Sequence, residues 1–157
     1  MICSCERVLM LNLDVGCGSN KREGFLGVDI NKAEAVDVVA DATHLPFKDC
    51  CVDYIYSRRC IQHIEDEMKA LEEMYRVMKN GGKLQLIVAS FYGFLFYKLG
   101  LSESSGRYAV FHLYHKRKLE KMLKKAGFVN INVSKAKSVR RIGYDYVVLC
   151  KKQTRTE

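Results

Sequence analysis

Apolar positions early in the chain recur with a period of two: Leu11, Leu13 and Val15 alternate with Asn12 and Asp14, and the run stops at Gly16. This is the signature of a half-buried strand entering a glycine turn. Short runs of the same kind follow at Leu26–Ile30, Asp37–Ala40, Val52–Ser57 and Lys83–Ala89. Between the last two, the period lengthens. Met68, Leu71, Tyr75 and Met78 fall on one stripe, so a helix is predicted from about Glu65 to Lys79, with Glu65, Asp66 and Glu67 favouring its start and Asn80, Gly81 and Gly82 ending it. A second amphipathic helix is predicted over Lys116–Ala126, with Leu119, Met122, Leu123 and Ala126 inward. Phe128–Ser134 and Tyr144–Cys150 then alternate with no helix between them, so they should pair antiparallel across the basic connection Lys135–Gly143. Residues 1–9 show no period and read as an arm, and the tail from Lys151 reads as frayed.

The first turn carries the chemistry. Glycines at 16 and 18 remove two Cβ atoms, so the backbone through Cys17 and Ser19 can turn tightly and bring its amides to a ligand. Asp29, at the tip of the second strand with Ile30 beside it, offers two acceptor oxygens to hydroxyls such as those of a ribose. A nucleoside-containing cofactor is expected. The nicotinamide fingerprint needs a third glycine where Lys21 stands, and its acid comes about 20 residues on. Asp29 follows Gly18 by only 11 residues, which disfavours an NAD-dependent oxidoreductase.

Composition bounds the partners. The 157 residues suit one domain spanning 1–157, with 48% apolar content. The net charge of +8 is uneven: residues 1–100 carry 12 Lys and Arg against 14 Asp and Glu, whereas residues 101–157 carry 14 against 4. The basic last third suits an anionic partner such as nucleic acid, or is a solvated face. Seven cysteines without zinc-like spacing, and no leader pattern, point to reduced thiols, no metal and a cytoplasmic setting. The longest apolar tract, Leu84–Tyr97, has 14 residues, short of the roughly 20 a membrane helix needs.

In order and spacing, LDVGCG, GVDI, DVVADATHLPF, DYIYSRRCIQHI and YRVMKNGGKL resemble the class I S-adenosylmethionine-dependent methyltransferases, and more narrowly the type 11 group in a compact form with a shortened first helix. The resemblance runs from Leu11 to Ser90 and resumes weakly at Leu119–Phe128. It implies a doubly wound, Rossmann-like, mostly parallel α/β sheet of seven strands in three layers, ordered 3-2-1-4-5-7-6 with the last strand antiparallel. It implies S-adenosyl-L-methionine as cofactor and S-adenosyl-L-homocysteine as product. By the same resemblance, Asp41 accepts from the adenine amino group, the Ala42 amide donates to the ring, and the backbone of Ser57 lies beside the methionine part.

Methyl transfer from a sulfonium needs alignment and exclusion of water more than a covalent nucleophile. The Gly16–Ser19 turn is expected to hold the methionine part, with Asp14 offsetting its ammonium charge. His63 and, second, His112 are candidate bases, each with a structural alternative. Arg58 and Arg59 either clamp an anionic acceptor or are solvated arginines at a cleft edge, and Tyr92 is a further candidate for substrate contact. The aromatic segment 91–114 is lid or core, with Ser102–Gly106 its mobile tip. The expected activity is methyl transfer to a small-molecule or polar, anionic acceptor. The alternatives are a cofactor-binding subunit without turnover, paired with a partner chain or a second copy, and a nucleic-acid methyltransferase. No NPPY-like tetrapeptide follows the fourth strand, which lowers the last.

Overall fold

Alternation along each strand sorts the sheet into two unequal faces. In the computed structural model, which describes residues 10–92, 95, 99, 110–137 and 144–154, the strands are β1 Asn12–Val15, β2 Leu26–Asp29, β3 Val38–Val39, β4 Val52–Arg58, β5 Met78–Ala89, β6 Phe128–Lys137 and β7 Tyr144–Lys152. They form one sheet in the order β3-β2-β1-β4-β5-β7-β6. β1 to β5 pair parallel, and β7 runs antiparallel to both β5 and β6. The expected order and the reversed last strand are both present.

The register aligns Leu13, Ile55, Leu84 and Cys150 in one row across four strands. All four are buried. Against this face pack α1 (Glu67–Val77), through Ala70, Leu71 and Met74, and α2 (Lys116–Lys125), through Leu119 and Leu123, in a single core. The next row, Asp14, Tyr56, Gln85 and Leu149, points to the opposite face, and there Leu149 is 48% exposed. Burial of apolar surface, not propensity, therefore fixes which way each strand faces.

Three features depart from the expected elements. Among the described residues, the chain between β1 and β2 carries turns where a shortened first helix was expected. A one-turn 3₁₀ helix, Ile61–His63, follows β4, too short for its period to show in sequence. The tail expected to fray from Lys151 instead continues β7 through Lys152, because the buried Lys152 ammonium donates to the carbonyls of Met78 (2.8 Å) and Arg76 (3.3 Å) at the end of α1. The expected arm 1–9, the tip Ser102–Gly106 and much of the segment 91–114 lie outside the described residues. No described helix is long and apolar enough to cross a membrane.

Candidate active site

The carboxyl ends of β1 to β4 open on a cavity of about 620 Å³, within the range typical of small-molecule sites. Its floor is the first turn. Gly16, at φ +76°, turns the chain so that the amides of Gly16 and Cys17 both donate to Val28 O, at 2.8 and 3.3 Å. A Cβ on Gly16 would lie 2.3 Å from Cys60 Cβ, so only glycine fits between that turn and the end of β4. The Gly18 amide donates to Asp29 Oδ2 at 2.9 Å, and the Asn31 amide donates to Oδ1 at 2.9 Å. Two backbone donors thus fix the Asp29 carboxylate at the cavity rim, and each oxygen keeps a lone pair for a ligand.

Asp41 is held in the same manner from the neighbouring tip. Ala40 N donates to Asp29 O (2.9 Å), and Asp41 Oδ1 accepts from Thr43 N (2.8 Å) in an Asx turn. The loop beyond is fastened to α1: Leu45 N donates to Glu73 Oε2 (2.9 Å), while the Arg76 guanidinium reaches Leu45 O, Phe47 O and Asp49. Hydrogen bonds from Arg76 hold the Glu73 carboxyl below the usual glutamate range. Asp29, Ile30, Asp41 and Ala42 all line the cavity, with Ile30 63% exposed.

Other expected site residues sit elsewhere. Asp14 points to the opposite face of the sheet, where its buried carboxylate accepts from Arg22 N at 2.7 Å. Burial raises its pKa. It braces the first turn, with Arg22 laid over the rings of Tyr56 and Phe25. Ser57 is buried within the sheet, and its hydroxyl meets no hydrogen-bond partner of proper geometry among the described residues. It neighbours the Cys60 thiol, pushed up to about 12 by burial. Cys17 and Ser19 belong to the turn without lining the cavity.

Of the two arginines, Arg58 lies exposed opposite Ile87 and does not line the cavity. Arg59 does, because its φ of +57° breaks the alternation. Its guanidinium is bound to Asp145 at 2.6 Å, so the two arginines, read from sequence as either an anion clamp or a solvated pair, do not converge on one point. His63 lines the cavity, but His112 does not. The His112 ring donates through Nε2 to Glu65 O (2.9 Å) and places Nδ1 3.6 Å from Glu67, the carboxylate that also binds Tyr114 and Lys118. That is a structural cluster. Tyr92, 51% exposed, faces Tyr144 and not the cavity.

The sequence reading missed Glu65, Asp66 and Phe111 as lining residues. Gln62 brings Phe111 there: its carbonyl accepts from Phe111 N at 3.0 Å, and its side chain accepts from Ala89 N at 3.1 Å. Because that amide oxygen is taken, Gln62 Nε2 donates to His63 Nε2 (3.3 Å), which places the neutral ring's proton on Nδ1.

The fold class is the Rossmann-like one of S-adenosylmethionine-dependent methyltransferases, and a protein of that class from Thermotoga maritima superposes on 92% of this chain and 83% of its own with a TM-score of 0.71 at 22% identity. Residues 13–86 match the family model described as a methyltransferase domain, of the type 11 group. Phosphoethanolamine N-methyltransferase 2 of Caenorhabditis elegans is 31% identical over 99 residues, 59% of this chain but 21% of that protein. Demethylmenaquinone methyltransferase of Staphylococcus aureus is 27% identical over 140 residues, 74% of this chain and 58% of that protein. The chain thus spans less than two thirds of these curated relatives. The Haemonchus contortus phosphoethanolamine N-methyltransferase 2, solved with phosphomonomethylethanolamine and S-adenosylhomocysteine, covers 93% of this chain at a TM-score of 0.64 and 20% identity.

Proposed function

We propose that the chain binds S-adenosylmethionine in this cavity and catalyses transfer of its methyl group to a small polar acceptor. The observation that carries this is Asp29, whose two carboxylate oxygens are pre-set by the Gly18 and Asn31 amides directly across from the Gly16 turn. The residues fit the cofactor. Asp29 can accept from both ribose hydroxyls, exposed Ile30 offers the adenine an apolar ledge, and Asp41 with the Ala42 amide meets its amino edge. Without a Cβ, Gly16 lets the turn close against Cys60 at the floor of the cavity, where the chain that joins ribose to the methionine part would lie. When bound, the sulfonium supplies an activated methyl group, so the protein contributes chiefly orientation.

His63 is the proposed base for an acceptor that must lose a proton. Taking that proton at Nε2 exchanges a 3.3 Å contact with Gln62, a weak bond to give up. Calorimetry tests the cofactor reading: S-adenosylhomocysteine should bind with one-to-one stoichiometry and NAD should give no heat. Preferential binding of NAD overturns it. A second reading, a cofactor-binding subunit serving a partner chain, is favoured by the half-open sheet face around Leu149. It predicts cofactor binding without formation of S-adenosylhomocysteine in any acceptor mixture.

A further inference from the structure

We infer that the acceptor is a small amine that enters as its ammonium ion, held by the carboxylates of Glu65 and Asp66 and by the exposed ring of Phe111. The inference rests on the methyltransferase reading and concerns the acceptor side of the same cavity. Among the described residues, five charged side chains line that cavity: Asp29, Asp41, Glu65, Asp66 and Arg59. Asp29 and Asp41 belong to the adenosyl wall, and the charge of Arg59 is met by Asp145 at 2.6 Å. Glu65 and Asp66 remain, next to each other beside His63, with no cation paired to either among the described residues. Asp66 Oδ1 accepts from Lys69 N at 2.9 Å as the cap of α1, and Oδ2 is left for a ligand.

An anionic acceptor would enter against this negative wall. A cation gains from it. Phe111, 55% exposed, lines the same cavity, and an aromatic ring there can offer a cation the negative face of its π-system. Carboxylate and aromatic face together are the chemistry that recognises an organic ammonium group.

For the transfer, the bound ammonium gives one proton to His63 Nε2. The freed nitrogen lone pair then forms the new N–C bond to the methyl carbon as the C–S bond breaks, and that bond's electron pair stays on sulfur as a neutral thioether. The methylated nitrogen leaves as an ammonium ion, and His63 returns its proton to water.

The test uses two probes of one shape and opposite charge, 2-phenylethylamine and 3-phenylpropanoate, titrated into the protein with and without S-adenosylhomocysteine. The amine should bind about tenfold or more tightly than the acid. Glu65→Gln and Asp66→Asn should each weaken the amine about fivefold while leaving S-adenosylhomocysteine affinity unchanged, and Asn at 66 preserves the helix cap, so folding is not at issue. Equal affinity for the two probes, tighter binding of the acid, or indifference to both substitutions overturns the inference. If S-adenosylhomocysteine gives no heat, the methyltransferase reading fails, and the comparison of amine with acid on the free protein still decides the charge preference.

Discussion

The two walls of the cavity are built by different means. On the adenosyl wall, backbone amides hold the carboxylates: Gly18 and Asn31 fix Asp29, and Thr43 fixes Asp41. On the acceptor wall the means are mixed: the Gln62 side chain donates to the adjacent His63, the Gln62 carbonyl accepts from the distant Phe111 N, and the Asp145 side chain holds Arg59. Backbone turns are set by local sequence and tolerate few substitutions. Contacts between side chains far apart in sequence can be exchanged without disturbing the turn, so one wall can keep its ligand while the other changes.

Substitutions can break that contrast, and the largest effect belongs to the turn. Gly16→Ala places a methyl group 2.3 Å from Cys60 Cβ at a φ of +76°, so unfolding in denaturant should show a loss on the order of 3 kcal/mol. Calorimetry should show S-adenosylhomocysteine binding weakened more than 100-fold. Asp29→Ala removes an acceptor from two backbone donors and from the ribose, and should weaken the same ligand about 100-fold, or roughly 3 kcal/mol, while amine binding changes less than about threefold. His63→Ala reverses the pattern. Cofactor affinity should stay within about twofold, while kcat falls about 100-fold.

A smaller effect comes from pH. Because Arg76 holds Glu73 below its ordinary value of 4.5, the stability it contributes is fully present above that value and is lost as pH falls through the lower folded pKa. Denaturation followed from pH 7 to about pH 3 should show a loss of about 1 kcal/mol that Glu73→Gln lacks. The smallest effect is at Gly18, where φ is +55° but nothing lies within 4 Å of an added Cβ. Gly18→Asn, a residue that accepts this conformation, should change stability in denaturant by less than about 0.5 kcal/mol.

The same contrast explains what could be read in the sequence. The glycine turn and Asp29 were legible because each lies at the end of a short apolar run, and strand periodicity fixes where such ends fall; Asp41 entered only through the family resemblance. The sheet order followed from the resemblance, and the reversed β7 from two alternating runs with no helix between. Arg58 and Arg59 were indistinguishable, because only the positive φ at Arg59 separates the sheet face from the cavity. Asp14 was placed beside the ligand, although alternation with buried Leu13 and Val15 already set it on the opposite face. Phe111 reaches the site through Gln62, 49 residues earlier in the chain. No periodicity records such a contact, though His63, Glu65 and Asp66 within one turn could have marked the acceptor wall.

The most direct measurement is a crystal structure of the complex with S-adenosylhomocysteine. Both ribose hydroxyls should lie within hydrogen-bond distance of the Asp29 carboxylate, with the adenine amino group at Asp41 and the sulfur facing His63. An adenosyl group bound away from these two acids, or turned so that its ribose meets the wall of Glu65 and Phe111, would contradict the account.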